Sequence, residues 1–362
     1  MSHSFSTLNA RITAENGFLS YILSFFLFSS IALSTIDAEA ASQDDLAALV
    51  NQPPVAIDVD VPKPIKIGVV YPGLQQSDYW QRSLVALESR LDRLQIPYEL
   101  IVRFSKPHSQ QDLQESQILD VLSHQPDYLV YTINSQRQKS VVEMLLQSQK
   151  PKVIIQNLTQ PITEWRNIQP LIYIGFDHAR GAKVLANYYK QTYPKGTEYG
   201  ILFWDEGVVS DQRGLTFERE VSGFHTLKAS YYTEASREKA KQATLDMLKE
   251  FPNLKYIYAC ATDVAMGALD ALDTIGRTDV SVNGWGGGKS ELDALRQGKL
   301  DVVLMRMNDQ NGIAMAEAIK MDLKGQEVPL VFSGAFEVLT QRMQPTEIDQ
   351  YVEKAFVYLG QQ

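Results

Sequence analysis

Ile67, Val69 and Val70 form a β-branched run with no polar residue to mark a wet face, inside the stretch Lys66 to Trp80. A strand apolar all along its length has to be covered on both sides, as in a parallel sheet flanked by helices. Pro72 and Gly73 end the run, and Gln75, Ser77 and Trp80 then offer an amide, a hydroxyl and an indole. Ligands of such sheets bind beyond the carboxyl ends of the strands. These three residues are therefore candidate ligand contacts. The plainer alternative is an ordinary turn with Asp78 capping the helix that follows, Tyr79 to about Leu94.

The same punctuation recurs along the chain. Strands are expected at 98–104, 128–132, 152–156 and 173–177, with helical patterns between them and Asp177 placed to cap a helix running to Tyr189. A second series follows, with strands at 199–204, 229–233, 256–260, 281–285 and 300–306 and a helix expected after Gly214. A strand-like run from Leu330 to Leu339 and a tail helix from Thr346 close the chain. The fold class is α/β, two parallel-sheet lobes with a cleft between them. No tandem repeat or low-complexity tract appears.

Phe18 to Leu33 is apolar, interrupted by serines, shorter than the ~20 residues of a membrane span and followed by Ala38-Glu39-Ala40. Residues 1–40 read as a secretory signal. An uncleaved anchor is the alternative, since Arg11 is the leader's one firm positive charge. The net charge of −9 becomes −7 without those residues, which carry Arg11 against Glu15, Asp37 and Glu39. An acidic chain with no dense basic stripe argues against nucleic acid as a partner. Cys260 is the only cysteine, so no internal disulfide forms, and its apolar strand marks a buried thiol. Residues 41–63, punctuated by Pro53, Pro54 and Pro62, read as an arm.

Polar residues gather at strand ends. Asn157 follows the run Val153 to Ile155, Thr262 and Asp263 follow Tyr256 to Cys260, and Trp285 opens a glycine turn after Val282. Arg306 closes Val302-Val303-Leu304-Met305, a run apolar enough to be buried on both faces. A buried guanidinium stays charged and has to meet an anion or a carboxylate. Arg213 is a second candidate, though an arginine at a helix start is usually just solvated. The turn Gly284-Trp285-Gly286-Gly287-Gly288 lacks both dinucleotide and phosphate-loop spacing, and its glycines would let backbone approach a ligand. The five histidines show no metal-ligand spacing, and no serine nucleophile elbow is present. With no paired acid and base, an enzyme is not expected.

Over about residues 64–345 the chain resembles the type I periplasmic binding proteins, and among them the autoinducer-2 receptors. The motifs are VVYPG with QQSDYW, QNLTQPITEW, YIGFDHA, EGVVSDQRG, YIYACATDVAMGALDAL, NGWGGGKSELDA and VLMRMNDQNGIAMAEAIK. The resemblance implies two Rossmann-like lobes joined by three crossings near Asp177, Arg306 and Leu330. The lobes would comprise 64–177 plus 306–330 and 178–305 plus 331–362. It implies a furanosyl borate diester as ligand, with boron present only as part of that ligand and no cofactor. Arg213 and Arg306 would hold the borate, and Gln75, Ser77, Asn157, Thr262, Trp80 and Trp285 would complete the site beside Asp263. Thr132 and Asn134 fall where the family contacts a ligand hydroxyl, with an amide at Asn134 in place of an acid. One anion bridging arginines on separate segments would favour the closed form. The implied partner is the periplasmic domain of a LuxQ-type hybrid sensor kinase, through which alone the protein would meet the membrane, and the implied location is the periplasm. The alternative reading is a sugar receptor feeding a transporter.

Overall fold

The computed structural model describes residues 45–133 and 135–358; the secretory segment expected at 1–40 and the candidate Asn134 lie outside them. One sheet contains β1 (Ile65–Tyr71), β2 (Tyr98–Phe104), β3 (Tyr128–Tyr131), β4 (Lys152–Gln156) and β5 (Ile172–Gly175). The other contains β6 (Glu198–Phe203), β7 (Thr226–Tyr232), β8 (Tyr256–Ala259), β9 (Ser281–Gly286) and β10 (Val302–Arg306). Two short strands follow, β11 (Val331–Ser333) and β12 (Phe336–Thr340). The orders are β11-β5-β4-β3-β1-β2 and β12-β10-β9-β8-β6-β7, parallel throughout except for the antiparallel edge β10–β12. Each sheet has buried apolar clusters that draw on helices packed against it, as its unbroken β-branched strands require.

The run expected as one strand, Leu330 to Leu339, is two strands in two different sheets. β11 pairs with β5 and β12 with β10, so the third crossing lies at Gly334-Ala335 rather than near Leu330. The reason is local. A Cβ on Gly334 would sit 2.4 Å from the Phe176 ring, so a glycine lets the chain turn close against the first crossing. Gly334 N–H donates to Gly175 O at 2.8 Å and Met307 N–H to Ala335 O at 2.9 Å, tying the three crossings into one hinge.

The C-terminal segment also departs from its expected place in the second lobe alone. Helix α10 (Pro345–Ala355) and Phe356 pack on that lobe, but Tyr358 reaches the core of the first. The expected arm is docked as well: Leu46 and Val50 are buried in the first lobe, and Arg90 donates to the Leu49 and Gln52 carbonyls.

Helix α1 (Tyr79–Arg93) and helix α9 (Asp309–Leu323) pack together in the first lobe. A buried ion pair, Arg90 to Glu317 at 2.6 Å, locks them in register. Asp177 caps helix α4 (His178–Thr192), accepting from Arg180 N–H at 2.9 Å. Asp78 occupies the cap position of α1 without a side-chain cap bond and pairs instead with Arg82 at 3.7 Å. Helix α5 (Val208–Val221) begins before Gly214, not after it. Gly214 is a packing glycine: a Cβ there would lie 2.0 Å from the Phe203 ring.

Candidate functional site

The carboxyl ends of both sheets face one another across a narrow cleft whose cavity measures about 40 Å³. The first lobe contributes Gln75 and Ser77 from the loop after β1, Tyr79 and Trp80 from the first turn of α1, and Asn157 after β4. The second contributes Trp204 after β6, Val209 and Arg213 from α5, Ala261, Thr262 and Asp263 after β8, Trp285 from β9, and Arg306. A larger depression, about 1020 Å³, lies around Lys66, Tyr128 and Lys152 at the opposite end of the first sheet. Size does not make that the site, because it lies at the amino ends of the strands, whereas ligands of such sheets bind beyond the carboxyl ends.

The structure thus gathers Gln75, Ser77, Trp80, Asn157, Arg213, Thr262, Asp263, Trp285 and Arg306 around one cavity. Thr132 is not among its lining residues. The register pairs Tyr131 with Val70 and Ile155, which sets Thr132 level with buried Tyr71 and Gln156, one residue short of Asn157. Asn157 itself turns left-handed, φ 72°, as the chain leaves β4.

Both arginines are buried, and neither forms an ion pair with a carboxylate among the described residues. Arg213 sits in the second turn of α5, where its Nε–H donates to His178 Nδ1 at 3.3 Å and Nη1 to the Cys260 carbonyl at 2.9 Å. Its guanidinium lies 4.9 Å from the Trp285 ring. Burial, and then the charge of Arg306, push Arg213 down to about 9. It is still a cation at neutral pH. Arg306 is held between rings, 4.2 Å from Tyr79 and 5.7 Å from Phe176, and burial lowers its affinity for its proton as well. Arg306 was expected to open a first-lobe segment, but β10 places it in the second lobe's sheet. Both arginines therefore belong to one lobe, and meeting both does not require bridging the two lobes.

The glycine turn works differently from expectation too. The Trp285 and Gly287 N–H groups donate to the buried carboxylate of Glu291 at 2.8 and 2.7 Å, so they are not free for a ligand. Gly286, at φ 142°, makes room for an arginine: a Cβ there would lie 2.7 Å from Arg306 Nη2. Burial raises the affinity of Glu291 for its proton, opposed by those two N–H groups. Sequence reasoning missed Glu291, Tyr79, Trp204 and His178. Trp204 carried the signal used elsewhere, a polar-edged ring at a strand end; the other three are visible only once the chain is folded.

The lobes also touch directly. Gln76 N–H donates to Asp263 at 3.2 Å, its side-chain amide donates to Ser290 at 3.4 Å, and Arg237 donates to its carbonyl at 3.2 Å. His108 approaches Asp205 at 2.9 Å and Glu234 at 3.5 Å. Burial raises the proton affinity of Asp205, with His108 opposing.

Residues 67–327 match the model of the periplasmic binding protein domain. The chain belongs to that family. It is a periplasmic binding protein, and its two-lobed α/β fold is that of type I. The ribose import binding proteins RbsB of Salmonella typhimurium and of Escherichia coli are each 24% identical over 306 residues, covering 83% of this chain and 93% of theirs. Among solved structures, the Actinobacillus succinogenes solute-binding protein with bound D-allose superposes with a TM-score of 0.69 at 20% identity, covering 80% of this periplasmic binding protein and all of that chain. The Agrobacterium vitis solute-binding protein with bound D-fucose gives 0.71 at 15% identity, over 78% and 98%. These relatives are solute-binding proteins rather than enzymes.

Proposed function

We propose that this periplasmic binding protein is a non-catalytic receptor of the LuxP type, for a compact furanose-like ligand carrying negative charge, namely the borate diester of autoinducer-2. The observation behind this reading is the pair Arg213 and Arg306, buried in the cleft with no carboxylate among the described residues ion-paired to either. A buried, uncompensated cation is costly, and two side by side are more so. An anion placed between them relieves that cost; a neutral sugar does not. Tryptophans and hydroxyl-bonding groups around them suit a small ring rich in oxygen.

The ligand enters the open form and docks on the arginines of the second lobe. Gln75, Ser77 and Asn157 of the first lobe then close over it, and binding shifts the population toward the closed form because only that form makes both sets of contacts. The receptor reports occupancy to a hybrid sensor kinase of the LuxQ type. Support for that partner is the run of receptor-like motifs from VVYPG to VLMRMNDQNGIAMAEAIK.

The second reading, capture of a neutral pentose or hexose for a transporter, is favoured by the relatives named for ribose import and by those carrying D-allose or D-fucose. Titration with the pentanedione precursor of the signal, with and without borate, and with D-ribose, separates the two. Tighter binding in borate supports the receptor reading. Borate-independent precursor binding with micromolar or better D-ribose binding overturns it in favour of the transporter reading. Mass and boron analysis of ligand released from the purified protein gives an independent answer.

A further inference from the structure

Arg213 is anchored in an unusual way for a buried cation. Its two hydrogen-bond partners, His178 Nδ1 and the Cys260 carbonyl, are both able to accept a proton bond without carrying charge. The guanidinium has only donors. His178 Nδ1 must therefore be unprotonated, and a charged imidazolium would turn an N–H against an N–H. His178 is 1% exposed and shares its surroundings with the charges of Arg213 and Arg306. The one carboxylate adjacent in sequence, Asp177, is spent on the helix cap.

We propose that His178 is a positioning residue that sets the charge selectivity of the cleft, by fixing Arg213 with a neutral acceptor and so leaving its charge to be satisfied by the ligand. A carboxylate at this position would hold the guanidinium equally well and neutralise it. The cleft would then suit an uncharged sugar. Burial and the two arginine charges, which hold the imidazole well below its usual range of protonation, act in the same direction. The inference rests on the anionic-ligand reading above.

The test compares wild type with His178→Asn, His178→Asp and His178→Leu, all as the full mature protein. Each is titrated with the pentanedione precursor with and without borate, and with D-ribose, and its melting temperature is recorded. Asparagine keeps a neutral acceptor near Nδ1 and is expected to hold the borate preference within about threefold of wild type. Aspartate is expected to shrink that preference at least about tenfold without weakening D-ribose binding. Leucine, with no acceptor, is expected to weaken binding of the borate adduct at least about tenfold more than asparagine does. If His178→Asp does not fold, the contrast of leucine with asparagine decides. The inference falls if His178→Asp keeps the wild-type preference, or if leucine and asparagine are equivalent. Absence of any borate preference in wild type overturns the functional reading and this inference with it, whereas a preference kept by every variant overturns this inference alone.

Discussion

The Arg306 guanidinium, at the end of β10 in the second lobe, lies 4.2 Å from the centre of the Tyr79 ring in the first. A cation of the candidate site is thus packed against an aromatic face contributed by the other lobe. Tyr79 is itself immobilised, its hydroxyl accepting from Gln156 at 3.1 Å and Asn311 at 2.8 Å. Tyr79→Leu is expected to weaken ligand binding about two- to thirtyfold, the range of a cation–π contact of roughly 0.5 to 2 kcal/mol. Tyr79→Phe keeps the ring and should lose stability more than affinity. Calorimetric titration with parallel thermal melts checks this; equal affinity losses in the two variants would remove the ring contact from the account.

Replacing Arg306 by methionine separates binding from stability. Charge-assisted hydrogen bonds to the ligand are worth ~1.5 to 3 kcal/mol, so affinity should fall roughly ten- to more than hundredfold. The unliganded protein should melt no lower than wild type, because an apolar chain of similar length replaces a buried charge without an ion-pair partner. Lysine should not restore binding, since a point charge replaces a planar fork. A large fall in the melting temperature of unliganded Arg306→Met would show that the guanidinium is a structural element.

Much of this site could be read before folding because its polar residues stand where apolar strands end. The buried runs before Asn157, Thr262 and Arg306 are long enough to make the residue after them conspicuous. The hinge was harder, since Leu330 to Leu339 reads as one strand and only the partners β5 and β10 divide it between two sheets. Glu291 and His178 were silent for another reason. Each acts on a residue distant in sequence or on backbone groups of a turn, and no local pattern records that Glu291 would meet the Trp285 and Gly287 N–H groups. Thr132 misled because its strand leaves the sheet one residue earlier than β4 does.

Gln76 and His108 make polar contacts between the lobes, and they lead to a prediction about the unliganded protein. Three hydrogen bonds converge on Gln76 from Asp263, Ser290 and Arg237, each contributing a net ~0.5 to 1.5 kcal/mol. Gln76→Ala removes the two that use the side chain, and His108→Ala removes the contacts with Asp205 and Glu234. Both variants should shift the free protein toward the open form, seen as a larger radius of gyration in X-ray scattering. Ligand should then leave faster. No change in either radius or dissociation rate in the combined variant would mean that these contacts do not bias closure.

Asp309 supplies a pH dependence of stability. It is buried in the first turn of α9, and its carboxylate accepts the Tyr358 N–H at 3.0 Å. Burial pushes it up to about 6, against the opposing charge of Arg82. A folded value above the ordinary 3.8 means that the folded chain binds the proton more tightly. The resulting stabilisation is complete below the ordinary value and is lost as pH rises through about 6. Above that range the ionised side chain costs on the order of 3 kcal/mol relative to its protonated state. An asparagine side chain at this position keeps an acceptor for the Tyr358 N–H and carries no charge, so Asp309→Asn should melt higher than wild type at pH 8. The advantage should shrink as pH falls through about 6 and vanish only below the ordinary value of 3.8, where the unfolded chain is protonated as well. A difference in melting temperature that stays constant across that range would show that the Asp309 carboxylate is not the group whose burial the fold opposes.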